Sequence, residues 1–397
     1  LITMTDSARI NLSIDPGVTS ISFADNNGSS WGNGKIIITG FIDDILSFGN
    51  SASGLTSSQL SQIDVGGTVL EISSSGKIRS ETPPDVSVST FTNGGGDKLW
   101  SNILNWNNGI PNVSTAKVTL EDSLILDKDV SIAQIKLANV GKDVAITSSN
   151  NSKLTLTGSA VTQPVQNNSP DKNLTFDLKV DITSNDPETI QINGGGTASI
   201  NFGPNSELSL AVSTKFVGKI NRSFSFAGEL IGSGAFQVGD DTNITFGNTS
   251  DNLGYNGEFM FLGANAQITA NTNDDGTFIS NGIFVSPGNA SNPKLILNGK
   301  NIFKGDINIS DKDFTLLANA NQNSMGMITM GSGNLKLSLD ASVTEVTFTD
   351  NSSSNWGDGK LVISGFKDNV IGFGTSANGV TTDQLNKIDI GGTEVVI

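Results

Sequence analysis

The sequence predicts an all-β fold, a β-solenoid of short stacked strands. Three observations carry that expectation. Apolar residues alternate with period two along most of the chain, as in Ile10/Leu12/Ile14, Val118/Leu120, Leu124/Leu126, Phe176/Leu178, Ile200/Phe202, Phe224/Phe226, Ile244/Phe246 and Leu335/Leu337/Leu339. Alternation puts every second side chain on one face, so each run reads as a half-buried strand. The runs are three to five residues long and recur every 6 to 12 residues, separated by Gly, Asn, Asp and Ser. Those residues tolerate left-handed or side-chain-bonded turns. Finally, the chain repeats itself: residues 14–72 match 339–397 at 29 of 59 positions without a gap, at an offset of 325. A long fixed period marks an array of domain-sized modules.

A string of β-sandwiches is the competing architecture. The shortness of the strands and the near-regular polar turns favour the solenoid over about 110–350, and no buried-Trp sandwich core with long hairpins is evident. At about 20 residues and about 4.8 Å per coil, that stack would be on the order of 60 Å long.

In chain order, residues 1–72 read as the C-terminal part of one repeat module. Within it, Thr56-Ser-Ser-Gln59-Leu60-Ser-Gln-Ile63 is the best helix, since Thr followed three residues later by Gln is a capping-box pattern. Gly66-Gly67 end it. Residues 73–89, rich in Ser and carrying Pro83-Pro84, read as a linker. Residues 90–397 then form one full module: a Trp-containing N-terminal cap at 90–112, a β-solenoid at 113–338, and the repeat of 14–72 at 339–397. There the helix returns as Thr381-Thr-Asp-Gln384-Leu385-Asn-Lys-Ile388, followed by Gly391-Gly392, so a small capping unit closes each module end. Leu1 is not a natural start, which fits a window of about 1.2 periods from a longer tandem repeat.

Composition narrows the partners. A formal charge of −16 and a pI of about 4.3 argue against nucleic acid, which needs clustered Lys and Arg. The 39 acidic residues are scattered singly or in pairs, as on a solvated surface. There are no Cys and no His, so disulfides and the usual zinc and haem ligands are missing. No window holds 18 apolar residues, so direct membrane insertion through a helix is not expected.

Two stretches carry a resemblance. Gly94-Gly-Gly-Asp-Lys-Leu-Trp100-Ser-Asn-Ile-Leu-Asn-Trp106-Asn-Asn-Gly109-Ile-Pro111 is similar to an element that opens many bacterial surface β-solenoids. Gly228 to Phe236, with Gly232 and Gly234, followed by Ile244 to Phe259, with Tyr255 and Gly257, resembles the autotransporter-associated β-strand repeat. Phe236, Gln237 and Val238 depart from that pattern, which commonly has Leu, Lys and Thr there. The resemblance, directly covering about 50 residues, implies a right-handed parallel β-helix of the kind found in giant tandem-repeat bacterial cell-surface proteins. Such proteins are extracellular and serve as adhesins, fibres or autotransporter passengers.

Chemistry is sparse. Hydrolases on β-helices use clustered carboxylates, but Asp43-Asp44, Asp240-Asp241 and Asp274-Asp275 sit in turn-like contexts. Adjacent residues on a strand face opposite ways, a poor geometry for an acid–base pair. Asp43-Asp44 becomes Asp368-Asn369 in the second copy. No enzyme is expected. Calcium takes oxygen ligands, and the best loops for it are Asp25-Asn26-Asn27-Gly28 and Asn271–Thr277, with Asp25, Asp274 and Asp275 as ligands, although neither loop carries the D-x-D-x-D-G pattern. Gly94-Gly-Gly96 and Gly194-Gly-Gly196 lack the ending of a phosphate loop and read as turns. Trp31, Trp356, Trp100, Trp106 and Tyr255 are read as structural; an exposed Trp31 or Trp356 would instead stack on a sugar.

The functional expectation is a structural repeat module of a long extracellular bacterial surface fibre, acting through self-association. The alternatives are an adhesin binding glycan or protein on another surface, and a surface-layer subunit.

Overall fold

The computed structural model describes the chain except residues 81–85, 112, 159–162, 184–187, 193–196, 219–221, 248–254, 272–281, 287–289 and 392–397. It divides into two compact units, 1–84 and 85–397. The division falls in the Ser/Pro segment, but Pro83-Pro84 themselves lie outside the described residues.

The larger unit is a β-solenoid, and the whole chain is nearly all-β, with about 14 turns of stacked parallel strands. A twelve-stranded parallel sheet runs from Leu124–Leu126 to Ile388–Asp389. An eleven-stranded sheet runs from Val88–Phe91 to Ile328–Met330, and a five-stranded third sheet from Val130–Ile132 to Glu229–Gly232. Each coil therefore contributes one strand per face up to Gly232. Near the end a three-stranded sheet of Gln322–Met325, Val346–Phe348 and Ile371–Phe373 takes over one face. Among the described residues only one strand pair is antiparallel, Leu70–Ile72 with Ile78–Ser80. A string of β-sandwiches would be antiparallel throughout, so that alternative is set aside.

The period-two pattern explains the core. Strands such as Lys153–Leu156 and Glu207–Leu210 alternate half-exposed and buried residues, the apolar ones pointing inward. In-register stacking lays like on like: Phe176, Phe202, Phe226 and Phe246 are successive rungs of one sheet. Their rings stack at centroid distances of 5.4, 4.7 and 4.9 Å. Coils are mostly longer and less even than the sequence suggested, from 17 residues between Lys117 and Gln134 to 30 between Val144 and Leu174. The strands keep their length while the turns absorb the difference, because loop length costs little entropy. The twelve-stranded sheet spans roughly 50 Å at about 4.8 Å per rung.

Many of the scattered Asp and Asn residues are struts between coils. Asp129 Oδ1 accepts from Lys153 N at 2.9 Å, Asp143 Oδ1 from Asn173 N at 2.9 Å, Asn173 Oδ1 from Ser199 N at 3.0 Å and Asp313 Oδ1 from Asn334 N at 3.0 Å. Sequence reading expected these side chains to bond their own turns. Here they satisfy backbone N–H groups one coil later, which would otherwise be orphaned where the ladder is interrupted.

Residues 339–391 are further rungs of the same sheets: Leu335–Leu339, Leu361–Ser364 and Ile388–Asp389 are consecutive strands of the twelve-stranded sheet. The smaller unit repeats that arrangement with Arg9–Ser13, Lys35–Thr39 and Ile63–Asp64. Its last segment, Leu70–Ile72 and Ile78–Ser80, forms a hairpin. The first half of the expected 73–89 linker is thus folded structure, and Val88–Phe91 opens the solenoid of the larger unit.

Candidate functional site

The feature built twice from the same residues is the end unit around Trp31 and Trp356. In the first copy Phe23 stacks on Phe48 at 5.0 Å and 15°, and Trp31 meets Phe48 at 6.0 Å and 59°. In the second, Phe348 stacks on Phe373 at 5.2 Å and 13°, and Trp356 meets Phe373 at 6.1 Å and 59°. Both Trp rings are buried, so they pack rather than offer a face to a sugar. Their indole N–H groups differ slightly: Trp31 Nε1 donates to the Ile2 carbonyl, Trp356 Nε1 to Ser354 Oγ.

The helices form because both capping boxes close. Thr56 Oγ1 accepts from Gln59 N, and Gln59 Oε1 accepts from Thr56 N; Thr381 and Gln384 do the same. The Gln side chains do more than cap. Gln59 Nε2 donates to the Asn26 and Ser29 carbonyls at 2.8 and 2.9 Å, and Gln384 Nε2 to the Asn351 and Ser354 carbonyls at 2.7 and 3.0 Å. Asn26 and Asn351 are fully buried. Asn26 Oδ1 accepts from Ile2 N at 2.6 Å, and Asn351 Oδ1 from Ile328 N at 2.7 Å.

Those last contacts show that the repeat reaches further than the ungapped comparison found. Ile2-Thr3-Met4 returns as Ile328-Thr329-Met330, displaced by one residue from the main offset. Met4 N donates to the Ser30 carbonyl and Met330 N to the Asn355 carbonyl. The identical tripeptide was the available signal.

Gly54 and Gly379 are obligatory. A Cβ on either would lie 1.8 Å from the carbonyl oxygen of Phe48 or Phe373. Asp44 and Asn369 hold the left-handed region at φ 65° and 62°. Asp and Asn both tolerate it, which explains why Asp43-Asp44 becomes Asp368-Asn369 while the turn is kept.

At the N-terminal end of the solenoid, Trp106 sits edge-on to Trp100 at 4.7 Å and to Phe91 at 5.1 Å, and its Nε1 donates to the Trp100 carbonyl. Leu99 bridges in parallel to Ile125, and Trp100 N donates to the Ile125 carbonyl, so the cap is hydrogen-bonded to the first strand of the twelve-stranded sheet. Asp97 ties the cap loop, accepting from Asn105 Nδ2, Asn102 Nδ2 and Leu99 N. The Asn105 amide chiefly holds its carboxyl below the usual range.

The glycine–tyrosine motif also has a physical reason. Tyr255 is buried, bridges in parallel to Gly232, and donates its hydroxyl to the Gly234 carbonyl at 2.9 Å. A Cβ at Gly234 would lie 2.0 Å from the Val212 carbonyl oxygen, and one at Gly257 would lie 2.3 Å from that of Gly234. Burial pushes the phenol far up, so it stays a donor.

The acidic candidates do not gather. Asp25 Oδ1 accepts from Asn27 N in its own turn. Asp240 and Asp241 are struts, to Ala264 N and Asn265 Nδ2. Asp274, Asp275 and Gly194-Gly-Gly196 lie outside the described residues. Among the described residues no three His, Cys, Asp or Glu side chains cluster as metal ligands would, and no helix is long and apolar enough to cross a membrane.

Comparison with protein-family models, characterised proteins and solved structures finds no match to this chain.

Proposed function

We propose that this chain is a structural repeat module of a long extracellular bacterial surface fibre, working through contacts with copies of itself. The observation that carries the reading is the duplicated end unit, which reproduces aromatic stacking, capping boxes and buried Gln and Asn bonds at a distance of 325 residues. Selection for a binding pocket would preserve surface chemistry; here the paired residues are buried and serve packing. In this reading the chain carries no catalysis, since Asp240 and Asp241 are engaged between coils. The surface location rests on the motif resemblance at Trp100/Trp106 and Gly232/Tyr255.

The test is light scattering and electron microscopy of the 397-residue chain across concentration, salt and calcium. Concentration-dependent ordered assemblies are expected. Monomers throughout, together with saturable binding to a glycan or cell-surface receptor, would replace this reading with the adhesin one.

A further inference from the structure

The faces of the solenoid do not share its charge evenly. On the eleven-stranded sheet, outward side chains alternate with buried ones, and among those described no outward one is a carboxylate, in a chain with 39 acidic residues. Three are lysines, Lys117, Lys136 and Lys215. None of the three forms an ion pair among the described residues. Val217 stands two residues on from Lys215, on the same strand and the same side. The five-stranded third sheet has the opposite character. Its outward lysines are already paired, Lys153 with Asp181 at 2.7 Å and Lys179 with Glu207 at 3.4 Å. Glu229 is exposed, forms no ion pair among the described residues, and stacks in register on Glu207. Like charges on neighbouring rungs repel, so this end of the sheet lacks a cation. Ile231 stands two residues on from Glu229, half-buried as Val217 is. The twelve-stranded sheet carries both signs outward, Asp177 and Lys336 among them.

We propose that the lysine-bearing face of one copy docks on the third sheet of a second copy, Lys215 meeting Glu229 and Val217 packing on Ile231. Charge chooses the pairing: two lysine faces repel, two glutamate faces repel, and one of each attract. The contact joins two different surfaces, so it is heterologous and can be repeated from copy to copy, where an isologous contact stops at a dimer. The inference rests on the fibre reading and names the surfaces that reading needs. Both faces run along the stack and not across its end. The third sheet spans only about 20 Å at about 4.8 Å per rung, so one contact buries less than the roughly 800 Å² per partner of a stable complex. A single contact is therefore weak and salt-sensitive, and several engaged together along tandem modules reinforce one another.

The experiment is sedimentation of the 397-residue chain at low ionic strength over a range of concentration, with unfolding midpoints to show that each variant folds. Lys215→Glu and Glu229→Lys should each weaken association about tenfold or more, since like charges then meet across the contact. The chain carrying both changes restores the pair with its signs exchanged and should associate within a few-fold of the parent. Overall charge predicts the reverse for one variant: Glu229→Lys moves the net charge from −16 to −14 and would strengthen association if general repulsion governed it. Lys294→Glu, on the twelve-stranded sheet, changes the net charge as much as Lys215→Glu does and should leave association nearly unchanged. Stronger association of Glu229→Lys, or a doubly changed chain no better than the single variants, overturns the proposal and leaves the fibre reading standing. A parent chain that stays monomeric at every concentration removes the fibre reading, and this proposal with it.

Discussion

Gln384 reaches back 33 residues to hold the Asn351 carbonyl at 2.7 Å, and Gln59 holds Asn26 across the same span at 2.8 Å. Each amide is buried, and each joins the closing helix to the turn that seats the Trp. Gln384→Ala removes the bond to the Ser354 carbonyl and leaves the Asn351 carbonyl with only the Ser354 N–H and hydroxyl as donors. A loss of about 1–3 kcal/mol follows. Gln59→Ala should cost the first unit a similar amount. Denaturant unfolding of each variant, with hydrogen exchange to assign the loss to one unit, checks both. Unchanged stability in either would remove the bond from the account of that end.

Gly379→Ala and Gly54→Ala should each be strongly destabilising, by more than about 2 kcal/mol, because the new methyl meets a backbone carbonyl and the main chain must shift. Gly28 is the control. Nothing lies within 4 Å of a Cβ there, and Gly28→Ala should be neutral or slightly stabilising through the unfolded state. Thermal unfolding of the three variants separates the outcomes. Equal effects at Gly54 and Gly28 would show that the close approach is relieved without cost.

Strand positions were legible because burial in a parallel stack depends on one simple period, and Phe176, Phe202, Phe226 and Phe246 announce it. The duplicated Trp, Phe and Gly residues were legible because two copies in one chain compare themselves. Less visible was anything set by contact across coils. Asp129 and Asp143 look like ordinary turn residues, and only the fold brings them to Lys153 N and Asn173 N. Ile2 and Ile328 escaped because one residue fewer in the following turn broke the register. The hairpin at 70–80 was hidden in a segment whose Ser content suggests a linker, yet Gly76 at φ 77° makes its turn and Ile78 anchors it.

The aromatic ladder should behave as a unit. Phe226 stacks on Phe202 at 4.7 Å and on Phe246 at 4.9 Å, and touches Phe216 and Phe236 edge-on. Phe226→Ala should cost about 3–5 kcal/mol, and Phe226→Leu less. Because Phe202 and Phe246 are both neighbours, Phe202→Ala combined with Phe226→Ala should be less than additive. A double-mutant cycle by chemical denaturation measures the coupling. Strict additivity would mean that the rungs stabilise the stack independently.

Stability should depend on pH in two opposing ways. Asp97, bonded by the Asn105 amide, Asp340, bonded by Ser342, and Asp350, bonded by the Ser352 hydroxyl, all have carboxyls held below the usual range. Their contribution is fully present above the unfolded value of about 3.9 and is lost as pH falls through the lower folded values. Glu258 has the opposite sign: burial raises its carboxyl. Its protonated form is favoured in the fold, so its contribution is fully present below about 4.3 and is lost as pH rises through the raised folded value. Glu258→Gln should therefore stabilise the chain at pH 7 and make little difference below pH of about 4. Asp97→Asn should destabilise it at pH 7, with the difference shrinking as acid protonates the native carboxylate. Denaturation midpoints of the parent chain and both variants from acid to neutral pH read these slopes directly. A Glu258→Gln gain that persists in acid would trace to packing and not to the buried charge.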